Sequence, residues 1–560
     1  MDVSRRTGRR TGTAGSVLGL VAMGGVLAWA PPAAADPAES AAPELKSFYQ
    51  QNVSWKPCDG EGGGDQSGED EGGGVECARI TVPMDYANPK GEKIRVAISR
   101  RTATDEENRR GILLTNPGGP GAPGLGGPAF LSDQKVAEVY DIIGFDPRGV
   151  GDSTNLNCSA PDPAEYELPS RPTDAQLHDF TEAARRTEAG CDRTAGSLRP
   201  HITTANTARD MDVIRGVLGE DKANYLGYSY GTYLGAVYGS LFPEKLDRSV
   251  LDSSVHPDRI WRDDWTAMAP ATTENVERFA EWAAENDDRL GLGADAKAVR
   301  ALIEELAQRA GEEPIDGLTQ TDFDLFIGDL ARWQGEWDLL ADTLTRLRDG
   351  TPESEDEGGE EPDTEAQADA EDAAEAIALV AAKSRERLMN GTYSAILCEA
   401  DWPADLDVYY RDMRDFRENH PYGFGVAAAA PNACTFRSYT PPEKPVELKR
   451  DGYPTGVVVQ GEYDPQTPYE GGPAMAKRLR DSLIIVEDDG NHGYYGGRDY
   501  GCVTERIDDY LIDGILPGSA VTCPGVPRVD LDAGTADEDR PLAEQAQEML
   551  DEREERLPVG

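Results

Sequence analysis

The sequence predicts an α/β protein with a mostly parallel central sheet and a helical domain inserted between two of its strands. Short apolar runs alternate with helical patterns over residues 36–256 and again over residues 448–560. Such alternation is typical of strands joined by helical crossovers. Residues 257–447 have helical periodicity and no strand runs. We therefore expect a core in two parts, 36–256 and 448–560, and a helical lid over 257–447.

The strands are predicted in order from the apolar runs, most of which end in a turn rich in glycine or acidic residues. The runs are KIRVAISRRTA, GILLTNPGGPG, YDIIGFDPRGVGDS, ANYLGYSYG, LDRSVLDSS, TGVVVQGEYDPQTP and DSLIIVEDDGNHG. In open sheets of this type, functional groups gather at the carboxyl ends of the strands. The turns that follow these runs are therefore the expected place for a site.

The predicted lid contains amphipathic helical segments such as ADAKAVRALIEELAQRAG. Within it, residues 351–376 carry 12 acidic residues and no basic ones. Such a tract has too little apolar surface to pack, so we expect disorder or a frayed helix there. A second tract, rich in glycine and acidic residues, covers residues 59–74 and is expected to be a loop. We expect neither tract to carry chemistry.

The first 35 residues predict a signal peptide rather than part of the fold. Four arginines precede an apolar run over residues 16–30, and Ala33 and Ala35 are the small residues expected at a cleavage site. The alternative, an uncleaved membrane anchor, is disfavoured because the run is short and a cleavage signal follows it. We expect a secreted, extracellular protein, either free or associated with the cell wall.

Eight cysteines follow the predicted signal peptide, and an even number in a secreted chain indicates disulfides. Neighbours in chain order give the predicted pairs Cys58–Cys77, Cys158–Cys191, Cys398–Cys434 and Cys502–Cys523. No two cysteines have the CxxC spacing, which disfavours zinc and redox sites. The net charge of −49 disfavours binding to nucleic acid and to anionic membranes.

Ser229 lies between two glycines in GYSYG, residues 227–231, where an apolar run ends and a helical pattern begins. This is the context of the nucleophile elbow of α/β-hydrolases, in which the serine occupies a strained strand-to-helix turn. The alternative is an ordinary glycine turn. A serine hydroxyl is a poor nucleophile and needs a base, an acid that orients the base, and N–H donors for the oxyanion.

Chain order selects the base and the acid, because in this fold the acid and then the histidine follow the serine. Asp464 follows the apolar run TGVVVQ, and of the five histidines only His492 comes after Asp464. We predict that Asp464 orients His492 and that Thr467 braces the turn. The alternatives for the acid are Glu462, Asp488 and Asp489. The other histidines are expected to be surface, packing or substrate-facing residues: His178, His201, His256 and His420.

The oxyanion is expected to accept from the N–H of Tyr230, which directly follows the serine. The second donor should come from the loop after an early strand, and NPGGPGAPG supplies it with Gly118 and Gly119. A phosphate-binding loop is excluded because no Gly-Lys-[Ser/Thr] follows, and the dinucleotide fingerprint is also absent.

Five segments in register resemble one known family: NPGGPGAPG, GFDPRGVGDS, GYSYGTYLGAVYGSLFPEKLDRSVLDS, QGEYDPQTP and GNHG. The family is that of the secreted bacterial tripeptidyl aminopeptidase-like α/β-hydrolases, relatives of the prolyl iminopeptidases. The resemblance covers nearly the whole chain after residue 35, and its C-terminal part looks like the TAP-like region. It implies the α/β-hydrolase fold, with Ser229 as nucleophile, Asp464 as acid and His492 as base.

The resemblance also implies release of short peptides from a free amino end. A charged amine that leaves water needs a carboxylate, and Glu399 and Asp401 in the segment AILCEADWP are the candidates; a surface acid pair is the alternative. We expect peptide substrates, no metal or organic cofactor and no obligatory protein partner. The alternative functions are a carboxylesterase or lipase on the same scaffold, and a catalytically dead exported binding protein.

Overall fold

The structure is a computed structural model of the chain. It describes residues 43–58, 74–156, 158, 168–312, 317–350, 364–386, 391–497, 500–531 and 540–556. The predicted signal peptide and residues 59–73 of the predicted loop lie outside the described residues. In the described part, no helix is both long and apolar enough to cross a membrane.

Ten strands form one sheet in the described residues, in the spatial order β1-β2-β3-β5-β4-β6-β7-β8-β9-β10. They are β1 Lys56–Pro57, β2 Glu76–Pro83, β3 Lys93–Arg101, β4 Ile112–Asn116, β5 Asp141–Phe145, β6 Ala223–Tyr228, β7 Leu246–Asp252, β8 Val457–Gly461, β9 Ser482–Glu487 and β10 Ala520–Pro524. The pairs from β5 to β10 are parallel, whereas β1, β2 and β3 add antiparallel strands at one edge. The predicted, mostly parallel sheet is confirmed.

The central strands are buried along their whole length and are mostly apolar, as expected where helices cover both faces of the sheet. Every residue of β4, β6 and β8 is buried. Successive residues of β4 join opposite apolar clusters, with Leu113 in one and Leu114 in the other, as the alternation of side chains along a strand requires. The pairing of Tyr228 with Asp252 brings the carboxyl ends of β6 and β7 to the same edge.

Eighteen α-helices occur in the described residues. They are α1 Lys46–Tyr49, α2 Gly127–Phe130, α3 Val136–Val139, α4 Leu177–Thr194, α5 Thr204–Val217, α6 Tyr230–Leu241, α7 Arg262–Glu285, α8 Asp287–Leu290, α9 Ala296–Glu312, α10 Gln320–Leu330, α11 Trp337–Asp349, α12 Thr364–Glu386, α13 Gly391–Leu397, α14 Leu406–Asn419, α15 Gly425–Ala429, α16 Gly471–Leu479, α17 Gly501–Asp508 and α18 Leu542–Arg556. Short 3-10 turns lie at Glu106–Asn108, Arg199–His201, Gln334–Glu336 and Ala433–Phe436, and a π-helical turn lies at Asp509–Asp513.

The helices α7 to α15 lie between β7 and β8 in the chain, with no strand among them in the described residues. Residues 364–376 of the acidic tract begin α12, so of the two expectations, disorder or a frayed helix, the helix describes this part. Its alanines supply the missing apolar surface, since Ala373 and Ala376 are buried in the cluster formed by the inserted helices. The preceding residues, 351–363, lie outside the described part.

The last helix, α18, packs on the inserted helices rather than on the sheet. Leu542, Ala546, Met549 and Leu550 belong to the apolar cluster that also contains α10, α11 and α12. The Asp372 carboxylate of α12 accepts from the N–H of Leu542 at 2.7 Å, at the start of α18. The sequence analysis assigned residues 448–560 to the core, but α18 within this range packs against the inserted helices.

Four disulfides join the predicted pairs Cys58–Cys77, Cys158–Cys191, Cys398–Cys434 and Cys502–Cys523. The predicted pairing is confirmed, and no cysteine remains free in the described residues.

Candidate active site

Ser229 lies at the turn between β6 and α6 and has the strained backbone of an elbow, with φ 56° and ψ −126°. The flanking glycines allow the close approach that this turn needs. A Cβ on Gly227 would lie 2.5 Å from the carbonyl oxygen of Gly231, and one on Gly231 would lie 2.9 Å from that of Asn116. The N–H of Ser229 donates to the carbonyl oxygen of Asp252 at 2.9 Å. These contacts hold the serine at the carboxyl edge of the sheet.

Asp464 and His492 form a buried pair at the same edge, with 2.7 Å between His492 Nδ1 and Asp464 Oδ2. Asp464 is 0% exposed and His492 is 2% exposed. The Thr467 hydroxyl donates to Asp464 Oδ2 at 2.7 Å, and the N–H groups of Gln466 and Thr467 donate to Oδ1. These bonds fix the carboxylate against the imidazole and give Thr467 the bracing position predicted for it.

His492 Nε2 is buried and has no hydrogen-bond partner in the described part of the chain. Asp464 holds the opposite ring nitrogen, so Nε2 is the atom left to exchange a proton. The residue after the histidine, Gly493, donates its N–H to Ser253 Oγ at 2.7 Å. Ser253 directly follows Asp252, whose carbonyl oxygen holds the N–H of Ser229. The serine and the histidine loop therefore attach to adjacent residues at the end of β7.

The predicted oxyanion loop lies directly against the elbow. A Cβ on Gly118 would lie 2.9 Å from Ser229 Cβ and 3.3 Å from the nitrogen of Tyr230, and Gly118 has φ +103°. Its N–H donates to Asn116 Oδ1 at 3.1 Å. This bond favours Gly119, with φ +100°, as the loop residue whose N–H serves the oxyanion together with that of Tyr230.

The two candidates for amine binding lie in different environments. Glu399 is 7% exposed and accepts from the N–H and the hydroxyl of Thr204 at 2.8 and 2.7 Å, and from Trp261 Nε1 at 3.3 Å. Burial raises the pKa of Glu399 to about 7. The Asp401 side chain is 102% exposed and pairs with Arg437 at 3.2 Å. This environment favours Glu399 over Asp401 as the amine partner, because a carboxylate in open water gains little from pairing with an ammonium.

The alternative acids hold the loop that leads to His492. Glu462 Oε2 accepts from the N–H of Asp488 at 2.9 Å, and Asp488 pairs with Arg278 at 2.8 Å and Arg528 at 3.0 Å. Asp489 accepts from the N–H of Asn491 at 2.7 Å and of Val526 at 2.8 Å.

Three of the other histidines make hydrogen bonds through Nδ1. His178 contacts the Tyr410 hydroxyl, His420 contacts the Thr273 hydroxyl, and His256 accepts from the N–H of Asp258. His201 Nδ1 is buried without a partner among the described residues, and burial lowers the pKa of this ring.

Asp252 is the site residue that the sequence analysis missed. Its carboxylate accepts from the N–H groups of Tyr494 and Tyr495, two and three residues after His492. An acid at the end of the apolar run LDRSVLD, beside the serine strand, was the available signal.

The fold defines the class: a model for the alpha/beta hydrolase fold matches residues 111–330, and one for TAP-like proteins matches residues 420–523. A tripeptidyl aminopeptidase of Streptomyces lividans is 36% identical over 470 residues, which cover 80% of this chain and 83% of that protein. The chain belongs to this tripeptidyl aminopeptidase family of α/β-hydrolases, and it is a serine hydrolase of the peptidase type.

Two further relatives have different names. The serine protease Hip1 of Mycobacterium tuberculosis is 29% identical over 511 residues, covering 84% of this chain and 91% of Hip1. Carboxylesterase B of the same organism is 29% identical over 485 residues, covering 80% of this chain and 86% of that enzyme.

Proposed function

We propose that the protein is an exported serine exopeptidase that releases tripeptides from a free amino end through the triad Ser229, His492 and Asp464. One observation carries the proposal: a buried aspartate-histidine pair leaves Nε2 unpartnered in the described residues, and the loop of this histidine is attached to Ser253, next to the residue that holds the N–H of the strained elbow serine. The name of the Streptomyces lividans relative supports the substrate class. Four disulfides and the predicted signal peptide support export.

The reaction follows from the positions of these groups. Ser229 Oγ adds to the scissile carbonyl carbon while its proton passes to His492 Nε2, and Asp464 stabilises the imidazolium. The N–H groups of Tyr230 and Gly119 donate to the oxyanion. The carbon–nitrogen bond then breaks as the imidazolium returns the proton to the leaving amine. In the second half, water adds to the acyl carbonyl carbon while its proton passes to His492 Nε2. The acyl–oxygen bond then breaks as the imidazolium returns this proton to Ser229 Oγ.

The first test is hydrolysis of a tripeptide anilide with a free amino end by the parent and by Ser229→Ala. We expect the variant to lose activity by about 10⁴-fold or more, because the nucleophile is removed while the oxyanion donors stay. Circular dichroism would verify that the variant is folded. A variant that retains the parental rate would refute the triad.

Glu399 is the proposed partner of the substrate amine. It lines a small cavity of about 10 Å³, room for about one water molecule, together with Tyr233 and Glu443. Above its pKa of about 7 the carboxylate is ionised and able to pair with an ammonium group.

We expect Glu399→Gln to raise KM for the free-amine anilide by tenfold or more, because a buried charge pair is lost. Activity on an amino-blocked substrate should stay at the parental level. The matched control is Asp401→Asn, which changes an exposed carboxylate two residues away. An equal rise of KM in the control, or none in Glu399→Gln, would contradict the proposal.

The second candidate function is a carboxylesterase, favoured by the relative named carboxylesterase B. The triad chemistry is the same, so the substrates decide. A peptidase should prefer the free-amine tripeptide anilide over both its amino-blocked form and short acyl esters. A preference for the esters would support the second candidate, and failure of Ser229 to react with a fluorophosphonate would support a catalytically dead binding protein.

A further inference from the structure

Asp252 joins the two halves of the candidate active site. It is the last residue of β7, the strand beside the nucleophile strand β6, and it is 0% exposed. Its carbonyl oxygen accepts from the N–H of Ser229 at 2.9 Å. Its carboxylate Oδ2 accepts from the N–H of Tyr494 at 3.0 Å and of Tyr495 at 2.8 Å. One residue therefore contacts the elbow through its backbone and the histidine loop through its side chain.

Ser253 extends this connection by one residue. It is buried and has φ 56°, a conformation that non-glycine residues seldom adopt. Its hydroxyl accepts from the N–H of Gly493 at 2.7 Å and lies 3.3 Å from Asp252 Oδ1, to which it donates. Its own N–H donates to the carbonyl oxygen of Val459 in β8 at 3.0 Å. The three N–H groups that follow His492 are thus all held by Asp252 and Ser253.

The charges around this connection are few. Asp464 contacts the imidazole directly, and Asp252 lies near enough for the charge of His492 to lower its pKa. Burial raises the pKa of Asp252 to about 6, while the N–H groups of Tyr495 and Tyr494 and the charge of His492 oppose that rise. The phenols of Tyr228 and Tyr494 also face Asp252, and buried Asp264 faces Asp464 from α7. His492 is the group near Asp252 that becomes a cation in the proposed reaction.

We propose that Asp252 is a positioning residue for the peptidase reaction, which holds the His492 loop against the Ser229 elbow and stabilises the imidazolium with a second negative charge. The inference rests on the proposed triad. Asp464 remains the residue that contacts the imidazole, and Asp252 acts through the loop backbone and through its charge. The Asp252 charge matters most when the proton of Ser229 lies on His492 Nε2, because the ring is then a cation. The low dielectric of a buried site weakens its attraction to Asp252 only a little.

The test is Asp252→Asn, which keeps an oxygen for the two N–H groups but removes the charge. We expect the acid limb of the kcat/KM profile on the free-amine tripeptide anilide to move to lower pH by about one unit. We also expect kcat to fall about tenfold at nearly unchanged KM, since one pKa unit corresponds to a factor of ten. An unmoved acid limb overturns the proposal, whatever happens to kcat.

Asp489→Asn is the matched control. Asp489 is also a buried carboxylate whose pKa is raised to about 6 by burial, and it too accepts from the histidine loop, through the N–H of Asn491. Arg278 faces it and offsets its charge. We expect the acid limb of the kcat/KM profile of Asp489→Asn to stay at the parental pH. A shift equal to that of Asp252→Asn would mean that any loop carboxylate has the same effect, which also overturns the proposal.

Ser253→Ala keeps the proposal testable if Asp252→Asn does not fold. It removes the acceptor of the Gly493 N–H without changing a charge. We expect a fall in kcat of about tenfold with an unmoved acid limb; parental kcat would contradict the connection. Ser229→Ala separates this inference from the proposed function. An active Ser229→Ala refutes the triad itself, whereas an inactive one together with an unmoved limb in Asp252→Asn refutes the role of Asp252 alone.

Discussion

Gly118 places the oxyanion loop closer to the nucleophile than any side chain would allow. A Cβ there would lie 2.6 Å from the carbonyl oxygen of Tyr228 and 2.9 Å from Ser229 Cβ. Its φ of +103° is also in the region that favours glycine. Contact between the loop and the elbow sets where the N–H groups of Gly119 and Tyr230 meet, so the residue controls the position of the oxyanion.

Gly118→Ala should therefore impair catalysis more than folding. We expect kcat to fall by about a hundredfold, the usual effect of misplacing one oxyanion donor. The control is Gly126→Ala in the same loop, since a Cβ on Gly126 would meet nothing within 4 Å. Steady-state kinetics on the tripeptide anilide would measure both variants. Parental kcat in Gly118→Ala would contradict the assignment of this loop to the oxyanion.

The sequence predicts Asp464 and His492 because each lies in the turn after an apolar strand and only five histidines exist. It does not single out Asp252, one of 104 acidic residues, because the contact with Tyr494 and Tyr495 joins residues about 240 positions apart. The sequence also does not distinguish Asp401 from Glu399 as the candidate for amine binding. The two residues are close in the chain, but the Glu399 side chain is buried and the Asp401 side chain is exposed, which the sequence does not predict.

Helix α7 connects the inserted helices to both catalytic loops. Asn275 Nδ2 donates to the carbonyl oxygen of Tyr463, the residue before Asp464, at 2.8 Å. Arg278, one turn further along α7, donates to Asp488 Oδ1 at 2.8 Å, four residues before His492. Its guanidinium also lies 3.9 Å from the centre of the Tyr463 ring. A displacement of α7 would therefore move the acid and the base together.

Arg278→Met tests this connection, since it keeps most of the side-chain volume and removes the donors. We expect kcat to fall about tenfold with a smaller change in KM, because the triad loses part of its preorganisation. Arg528→Met is the control: Arg528 pairs with the same Asp488 but is 35% exposed and does not belong to α7. Equal losses in both variants would indicate that only the Asp488 ion pair matters.

At the scale of the whole molecule, the sequence predicts the central strands of the sheet but not its edge strands. The inner strands β4, β6 and β8 are mostly apolar and fully buried, but β10 has one buried residue in five and no clear alternation. Helix α18 is equally hard to place, because its apolar stripe indicates that it packs but not against which element. Its return to the insertion depends on Asp372 and on apolar contacts that form only in three dimensions.

The acidic composition also affects stability through carboxylates that folding buries. Asp481 is an example outside the candidate active site. Its Oδ1 accepts from the N–H of Gly456 at 2.7 Å, while Oδ2 is buried without a hydrogen-bond partner in the described residues. Burial raises its pKa from 3.8 to about 6. The folded state therefore binds the proton more tightly than the unfolded state, and stability from this group is fully present below about pH 4 and lost as the pH rises through 6.

Asp481→Asn should accordingly stabilise the protein only at higher pH. Asparagine keeps the acceptor for Gly456, and its NH₂ group replaces the unpartnered oxygen without any charge. We expect the melting temperature of the variant to exceed that of the parent by a few degrees at pH 8, for a gain on the order of 2 kcal/mol. The difference should shrink toward zero at pH 4, where both side chains are neutral. Exposed Asp221 provides the control, since Asp221→Asn should give no difference that grows with pH. A gain of the same size at pH 4 and pH 8 would mean that packing, and not the buried charge, limits stability at this position.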